Sequence, residues 1–359
     1  MLLHAGDLKK KMERIENVKK LDIQAQKRAQ ERWNSIAKPL HSLGQLEEIV
    51  VKIAGITGNE NISLDKRCVV VMCSDNGVVC EGVTQSESNV TGIVAKAIAD
   101  GTSNVNKMAE VCHADVIAVD IGINGYVASK NVIGRKIANG TKNIAVGAAM
   151  TIEYAEKALS VGIDIVKRLK EDGFKIIVTG EMGIGNTTTS SALASVILGL
   201  SPENVTGRGA GLDSRKLEKK KLVIEKALKV NAPSADKPVE LLAKLGGFDI
   251  AGIAGLFLGG AIYKIPVIID GFISAVSAAV ACLICPESKN YMLCSHVSNE
   301  PAGEKLLDYL GMKPLITAGM HLGEGTGGVL LLPMLDAALA VYNSAHRFDE
   351  LSIERYKEF

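Results

Sequence analysis

A glycine-rich segment at residues 180–189 has the composition of an anion-binding turn. Its sequence, GEMGIGNTTT, follows an apolar run and opens a stretch of helical character. The spacing from Gly180 to Gly185, with Thr187 two residues later, copies a phosphate-binding P-loop, except that Asn186 replaces the lysine. That lysine reaches the outer phosphates of a nucleoside triphosphate, so its absence favours a ligand with one phosphate or a carboxylate. The alternative is a strand-to-helix turn that needs glycine only for its backbone.

Two glutamates stand inside glycine-rich segments and are candidates for acid–base chemistry. Glu324 lies in LGEGTGG, residues 322–328, and an apolar run follows it. Poor solvation raises the pKa of a carboxyl group and makes it a better base near neutral pH. A plainer interpretation is that Glu324 stabilises the N-terminus of the following helix. Glu181 adjoins the predicted anion site, where an acid is useful only if it binds hydroxyl groups or a cationic ring.

Other polar segments admit more than one interpretation. Arg208 between two glycines favours an anion, or is part of a surface loop. Residues 75–83 line a substrate pocket or form a turn. Ser295, His296 and Glu300 suggest a hydrolase, but the chain has no G-x-S-x-G elbow.

Four side chains could be written as zinc ligands: Cys282, Cys285, Cys294 and His296. The first pair lies in an apolar helical stretch, which favours buried thiols, so we predict no metal.

Four apolar runs end in glycine or aspartate and predict buried strands. They are residues 67–74, 115–120, 174–179 and 265–269. Helical stretches lie between and after them, at residues 93–111, 151–171, 188–200, 250–262 and 329–342. This alternation indicates an α/β fold, a Rossmann-like parallel sheet flanked by helices. Such sheets bind ligands at the carboxyl ends of their strands, where the glycine-rich segments fall.

The domain organisation follows from the same pattern. Helical spacing over residues 7–34 predicts an N-terminal arm. We expect residues 1–60 and 301–359 to build a smaller helical domain, and residues 61–300 to form the large α/β domain. The apolar stretch at 265–285 contains Asp270 and Gly271, so we interpret it as strand, turn and helix and not as a membrane span.

Composition excludes several classes of partner. The 359 residues include 41 basic and 40 acidic ones, and only 4% are aromatic. A balanced, aromatic-poor chain has no bulk reason to bind nucleic acid or an anionic membrane. Seven scattered cysteines and the lack of a signal-like N-terminus predict a reduced, cytoplasmic protein.

The motifs together resemble the nicotinate-nucleotide:dimethylbenzimidazole phosphoribosyltransferase family, which activates cobamide lower ligands. The similarity begins near Lys38 and extends to the Glu324 motif. The matching segments are GEMGIGNTT at 180–188, TGRG at 206–209, GLD at 211–213, GGFDIA at 246–251, DGF at 270–272, SHVS at 295–298 and LGEGTG at 322–327.

The resemblance implies transfer of the 5-phosphoribosyl group of nicotinate mononucleotide to an aromatic base. The products would be nicotinate and an α-ribotide, with no metal or cofactor required. Glu324 matches the general base, and Glu181 would lie near the ribose. The resemblance also implies a homodimer with shared sites, in which Lys220 reaches the phosphate across the dimer. The implied substrate-binding residues are Gly183, Gly185, Asn186, Thr187, Thr188, Arg208, Gly209, Lys220, Ser298, Asp75, Asn76, Ser88 and Leu322.

The sequence departs from the family pattern mainly around the expected acceptor pocket. Asn76 replaces a histidine, and residues 86–88 replace a Tyr-Pro-Gln. The acceptor therefore stays open among dimethylbenzimidazole, plain benzimidazole, a purine and a phenolic compound. His321 stands where an arginine is common, beside the Glu324 turn. These departures leave Glu324 in place.

Two other functions remain as alternatives at this point. The first is a catalytically idle paralogue that binds nucleotide and supports an active partner subunit in a heterodimer. Retention of Glu181 and Glu324 argues against it. The second is an ATP-dependent kinase or ligase, which the missing P-loop lysine and the lack of an acidic magnesium motif oppose.

Overall fold

The protein is built on a parallel β-sheet. The computed structural model describes residue 11 and residues 13–125, 127 and 129–356. Within them the strands are β1 Arg67–Ser74, β2 Asp115–Gly122, β3 Ile133–Gly134, β4 Ile176–Met182, β5 Val267–Ile269 and β6 Met292–Cys294. The strand order is β3-β2-β1-β4-β5-β6, and every pairing is parallel. The order reverses between β1 and β4, which is where a doubly wound sheet opens a crevice for ligands.

Helices cover both faces of this sheet. Before β4 they are α1 Ile23–Ser35, α2 Gln45–Thr57, α3 Asn89–Ala99, α4 Asn104–Val111 and α5 Ile152–Glu171. After β4 they are α6 Asn186–Leu198, α7 Pro202–Val205, α8 Ser214–Asn231, α9 Pro238–Leu245, α10 Phe248–Tyr263, α11 Phe272–Ile284, α12 Gly303–Leu310 and α13 Thr326–Ser344. The predicted α/β fold is thereby confirmed.

The central strand β1 and the helix α10 explain why the sheet is so deeply buried. Every residue of β1 is buried, as expected for a β-branched run with helices on both faces. Helix α10 is apolar on nearly all sides and packs closely on α5. A Cβ atom added at Gly255 would lie 2.1 Å from the carbonyl oxygen of Leu159, so glycine lets the two helix backbones approach. This contact fixes the N-terminus of α10 beneath the site.

Three features of the fold differ from the predictions. The helix expected over residues 93–111 is broken in two, because Gly101 adopts a φ of 79° and Ser103 begins α4. Gly180 lies inside β4 and not in a turn, where a Cβ atom would meet the carbonyl oxygen of Glu324 at 2.4 Å. Strands β3 and β6 were not predicted, because two and three residues are too short to show a pattern.

The terminal helices pack together beside the sheet. Trp33 of α1 and Tyr342 of α13 pack with their ring centroids 5.0 Å apart and their planes tilted by 55°. Helix α13 has 19 residues and is apolar enough to cross a bilayer by length and composition, but 56% of that stretch is buried in the protein. It is therefore a core helix in this fold. The expected arm over residues 7–34 falls partly outside the described residues, and the division at residues 60 and 300 stays a prediction.

Candidate active site

The carboxyl ends of β4, β5 and β6 open onto a cavity of about 270 Å³. Its walls come from the segments that follow these strands, from the loop after α7 and from the turn that begins α13. The predicted site residues in its lining are Glu181, Gly183, Asn186, Thr187, Gly209, Ser298, Leu322 and Glu324. Residues more than 140 positions apart in the chain thus share one crevice, at the edge where the sequence placed the site.

A smaller cavity of about 80 Å³ adjoins the first one. The two share Gly183, Asn186 and Thr187, so they form one continuous crevice around the start of α6. The smaller cavity adds Gly185, Arg208 and Lys220 to the set of predicted residues. It lies directly at the start of α6.

The start of α6 has the form of an anion site. Gly185 precedes the helix with a φ of 92°, and the backbone N–H of Asn186 donates to the carbonyl of Gly183 at 3.0 Å. No described side chain caps this helix N-terminus. Uncapped N–H groups and the helix dipole favour a negative charge at this position. The glycine at positive φ is needed because a side chain there would be strained and would also contact Val79.

Lys220 supplies a cation behind that helix N-terminus. The resemblance implied that Lys220 reaches the phosphate across the dimer, but this side chain is 1% exposed because it points from α8 into the crevice of its own chain. Its Nζ donates to Thr187 Oγ1 at 2.9 Å and to the carbonyl of Gly207 at 3.1 Å. Burial lowers the pKa of Lys220 to about 8, and the neighbouring carboxylate of Glu300 partly opposes that shift. Lys220 is therefore a cation that can lose its proton just above neutral pH.

The loop that carries Arg208 and Gly209 is held in place from two sides. The guanidinium of Arg208 donates to the carbonyl of Leu212 at 2.7 Å and to the hydroxyl of Ser214 at 3.1 Å. The backbone N–H of Gly209 donates to Glu300 Oε1 at 3.1 Å. Glu300 also lines the larger cavity. The loop thus lines the crevice in a fixed arrangement, with the N–H of Gly209 held by Glu300.

Glu324 lies on the opposite wall, on strained backbone. Its φ is 60°, between Gly323 at 87° and Gly325 at 95°. A residue other than glycine is strained at such a φ, so the surrounding contacts must hold Glu324 in this conformation. The backbone N–H of Val105 donates to Glu324 Oε2 at 3.4 Å. Burial raises the pKa of the Glu324 carboxyl above its ordinary value, and the charge of Asp270 adds to the shift. A carboxylate in this state is suited to accept a proton.

Asp270, at the end of β5, fixes the Glu324 turn. Its two carboxylate oxygens accept from the backbone N–H groups of Gly325 at 3.3 Å and Gly328 at 2.9 Å. Burial raises the pKa of Asp270, whereas His296 opposes that shift. The side chain of His296 packs so closely that a Cβ atom at Gly327 would lie 2.0 Å from its ring. Asp270 therefore fills the N-terminus of α13 with a carboxylate of the protein itself.

Glu181 completes the acidic side of the cavity. Its Oε2 accepts a hydrogen bond from the side-chain amide of Asn186. Burial raises the pKa of Glu181 to about 8, and the charges of Asp249, Asp270 and Glu324 push it in the same direction. The hydrogen bond from the side-chain amide of Asn186 lowers the pKa of Glu181, but by less than burial raises it. At neutral pH much of Glu181 is therefore protonated.

Four predicted site residues line neither cavity. Asp75 is buried and its Oδ2 accepts from the backbone N–H of Asn124 at 2.7 Å. Asn76 and Thr188 are also buried, and Ser88 precedes α3 without a side-chain hydrogen bond to that helix. Their substrate contacts stay predictions. Among the departures from the family pattern, Ser86 does reach the smaller cavity.

Sequence reasoning did not select Asp270, His296 and Glu300 as site residues, yet all three line the larger cavity. The signal for Asp270 was its place directly after the predicted strand at residues 265–269, at the edge where parallel sheets bind ligands. His296 stood in the hydrolase and zinc interpretations and in the matching SHVS segment, but the strand before it is too short to predict. The signal for Glu300 was weaker, since it lies in a loop and stood only in the hydrolase interpretation.

The two competing chemistries for this region find no support in the structure. Ser295 is fully buried, and its hydroxyl donates to the carbonyl of Ile269 at 2.6 Å, so it is not placed as a nucleophile. In the part of the chain that the structure describes, no group of three or more His, Cys, Asp or Glu side chains is arranged to hold a metal ion. The zinc interpretation of Cys282, Cys285 and Cys294 is therefore dropped.

Comparison with known proteins agrees with this geometry. The doubly wound sheet and its crevice are those of an α/β enzyme, and a family model described as phosphoribosyltransferase matches residues 18–353. This chain is thus a phosphoribosyltransferase, an enzyme of the glycosyl-transfer type.

The individual relatives define the family more closely. A nicotinate-nucleotide–dimethylbenzimidazole phosphoribosyltransferase of Ruminiclostridium cellulolyticum is 46% identical over 345 residues, which cover 96% of this chain and 98% of that protein. One from Acetivibrio thermocellus is 44% identical over 328 residues, covering 91% and 93%. A crystal structure of the enzyme of this name from Thermus thermophilus superposes with a TM-score of 0.87 at 34% identity, covering 94% of this chain and 100% of that one. The chain belongs to the nicotinate-nucleotide–dimethylbenzimidazole phosphoribosyltransferase family.

Proposed function

We propose that this enzyme transfers the 5-phosphoribosyl group of nicotinate mononucleotide to an aromatic lower-ligand base, with Glu324 as the general base. The observation that carries the proposal is the division of the crevice. An anion site with Lys220 lies on one side, and the half-buried carboxyls of Glu181 and Glu324 lie on the other. A donor with one phosphate at one end and a cationic glycosidic nitrogen at the other matches both sides.

The phosphate end of the donor would sit at the start of α6. The N–H groups there, the ammonium group of Lys220 and the Arg208–Gly209 loop are its ligands. Asn186 stands where a P-loop carries its lysine, which supports a mononucleotide over a triphosphate. The ribose then extends into the larger cavity, with Ser298 and Glu181 within its walls.

The chemical step moves one proton and exchanges one bond. Glu324 takes the proton from one ring nitrogen of the acceptor as the electron pair of the other ring nitrogen attacks C1 of the ribose. The bond from C1 to the pyridinium nitrogen breaks, and its electron pair stays on the ring, so nicotinate leaves as a neutral pyridine. A direct displacement inverts C1, which gives an α-ribotide. The carboxylate of Glu181 stabilises the positive charge that develops on the ribose.

The acceptor faces apolar side chains beside Glu324. Val94, Met182, Ile184 and Leu322 line this part of the larger cavity, and flat aromatic rings bind well against such surfaces. The set of acceptors includes dimethylbenzimidazole, plain benzimidazole, a purine and a phenolic compound. A phenol would give up its hydroxyl proton to the same Glu324 and bond through oxygen. The departures at Asn76 and Ser86 bear on this choice.

One assay tests the proposal and names the acceptor. The purified protein is incubated with nicotinate mononucleotide and a mixture of dimethylbenzimidazole, benzimidazole, adenine, phenol and cresol. Released nicotinate and the masses of any ribotides are then measured. A ribotide with an equal amount of nicotinate supports the proposal. Donor binding without turnover contradicts it and favours the idle paralogue that supports an active partner.

We also propose that the working form is a homodimer in the cytoplasm, as the resemblance implies. Leu322 lines the cavity yet is 54% exposed, and Ile93 next to Val94 is 62% exposed. Large apolar side chains exposed at the mouth of a site are typical of a surface that another subunit covers. Sedimentation equilibrium of the purified protein would show twice the chain mass of 38.0 kDa. A single chain mass, or dimers only after a second protein is added, would contradict the homodimer.

A further inference from the structure

Asp249 is a buried acid that the proposed mechanism does not use. It lies in the first turn of α10, has no exposed surface and does not line either cavity. Two glycines make room for it. A Cβ atom at Gly183 would lie 2.5 Å from its Oδ2, and one at Gly247 would lie 2.2 Å from its Oδ1. The carboxylate is therefore packed against backbone that tolerates no side chain.

The hydrogen bonds of Asp249 lead to the cavity through one residue. Its Oδ1 accepts from the backbone N–H of Ile250 at 3.0 Å, and its Oδ2 accepts from Asn186 Nδ2 at 3.2 Å. The same nitrogen of Asn186 donates to Oε2 of Glu181. Since an amide nitrogen carries two hydrogens, Asn186 can satisfy both acids at once. The other oxygen of Glu181, Oε1, lies beside Gly323 at the cavity wall.

Two carboxyl groups that accept hydrogen bonds from one amide nitrogen in a poorly solvated site do not both ionise easily. Burial raises the pKa of Glu181 to about 8 and that of Asp249 to about 7. Both oxygens of Asp249 accept from N–H donors, whereas Oε1 of Glu181 is not held in this way. The geometry therefore leaves the negative charge on Asp249 and the shared proton on Oε1 of Glu181.

The other titratable groups around the pair do not reverse this order. Asp270 and Glu324 act on Glu181 from the far side of the cavity and raise its pKa. Cys73 of β1 lies near both acids, but burial raises the pKa of its thiol far above the ordinary value, so it stays neutral. Asn76 donates to Asp249 and favours its charged form.

We propose that Asp249 is a positioning residue that acts through Asn186: it orients Glu181 toward the cavity and keeps Glu181 protonated until a cationic group of the substrate enters. The identity of that cation, the pyridinium of the donor, rests on the proposed function. The coupling of Glu181 to Asp249 does not rest on the proposed function, since it depends only on the hydrogen bonds that Asn186 donates to both acids.

Infrared difference spectroscopy of the ligand-free protein tests the coupling. The carboxyl stretch of Glu181 is assigned by its loss in Glu181→Gln and followed from pH 5 to 9 in the wild type and in Asp249→Asn. Removing the charge of Asp249 makes Glu181 easier to ionise, so its midpoint falls by about one pH unit. The control is Asp120→Asn, because Asp120 is also buried and accepts a backbone N–H, from Ile123 at 2.9 Å. It should leave the Glu181 midpoint unchanged.

A reciprocal measurement covers the case in which Asp249→Asn does not fold. In Glu181→Gln the remaining carboxyl band of Asp249 should also move to lower pH, because coupling between two sites is mutual. An unmoved Glu181 band in Asp249→Asn, or an unmoved Asp249 band in Glu181→Gln, overturns the proposal.

The pH profile of the transfer reaction is the second readout. With Asp249→Asn, the acid limb of kcat should shift to lower pH by about the same amount, with little change in the KM for the donor. A residue that only supported the fold would lower kcat evenly at all pH values, which would contradict the proposed role. Absence of turnover in the wild-type protein would overturn the proposed function, but the infrared test of the coupling between Glu181 and Asp249 would still hold.

Discussion

The turn at residues 183–186 and the turn at residues 323–326 face each other across the cavity and share one backbone design. Each reads Gly-x-Gly, and its second glycine has a φ of 92° or 95° and precedes a helix. In each, the first helical N–H donates to the carbonyl of the first glycine at 3.0 Å. The middle residue differs: it is Ile184 in the first turn and Glu324 in the second.

The two turns also differ in what occupies the helix N-terminus. Asp270 fills that of α13 with two charge-assisted hydrogen bonds, whereas no described side chain caps α6. The first turn is thus left open for an anion from outside, and the second is stabilised by an anion of the protein. A helix N-terminus becomes a binding site or a catalytic support according to whether the fold itself supplies the negative charge.

The largest effect should come from Glu324, the side chain that distinguishes the turn at residues 323–326 from the turn at residues 183–186. Glu324→Gln removes the proton acceptor but keeps the shape, so we expect kcat to fall about 10³-fold while the Kd for nicotinate mononucleotide stays the same. Steady-state kinetics and titration calorimetry measure the two quantities. Glu240→Gln, on the ion-paired surface of α9, serves as the control. A variant that kept its activity would remove Glu324 from the chemistry.

The next largest effect should come from the turn at residues 183–186, where no described side chain caps α6. Lys220→Met removes the proposed charge-assisted contact to the phosphate, so we expect donor binding to weaken about 30-fold. Burial lowers the pKa of Lys220 to about 8, and only its protonated form attracts phosphate. Wild-type affinity for inorganic phosphate should therefore fall as the pH rises from 7 to 9, and that of Lys220→Met should not.

Lys221 offers a matched control for that variant. Its Nζ pairs with Glu203 and Glu218, each at 2.7 Å, on a different side of α8. Lys221→Met should leave phosphate affinity and its pH dependence unchanged. Equal losses in the two variants would mean that net charge, and not the position of Lys220, governs binding.

The smallest of the three effects should come from removing the charge of Asp270, which occupies the N-terminus of α13. Asp270→Asn leaves one oxygen to accept from Gly325 and Gly328, so one buried N–H loses its partner and stability falls by about 2 kcal/mol. The Glu324 turn loosens, and we expect kcat to fall about tenfold. Donor affinity should not change, because the open turn is untouched. Thermal unfolding, kinetics and calorimetry give the three numbers.

Asp336→Asn is the control for the same helix, since Asp336 pairs with Arg67 at 2.9 Å on the far side of α13. It should leave kcat unchanged. A loss of donor affinity in Asp270→Asn would show that the two turns are not independent.

The strands and the edge of the sheet that carry the site could be predicted because their signals are local. Residues 67–74 and the run before Gly180 are apolar and β-branched, which suits a strand buried on both faces. Glu181 and Glu324 stood out because an acid among glycines has few structural uses. The break between α3 and α4 escaped prediction because a single glycine at positive φ outweighed a long helical pattern.

The burial of individual polar side chains could not be predicted. Lys220 lies in a Lys-rich stretch that is typical of a solvated helix, and its neighbour Lys219 has the same side chain. Only the rotation of α8 against the crevice decides which lysine is buried. Asp249 and Asn186 are 63 positions apart, and their hydrogen bond depends on how α10 packs beneath β4.

The sequence by itself determined the alternation of strands and helices, the edge that binds ligands and the two carboxyls at that edge, because each depends on residue type and short-range spacing. Only the tertiary structure decided that one glycine turn is left open and the other is filled by Asp270. It also decided that Asp249 is joined to Glu181 by a single amide. Those outcomes depend on distances between distant segments, and electrostatic interactions in a buried site change steeply with such distances.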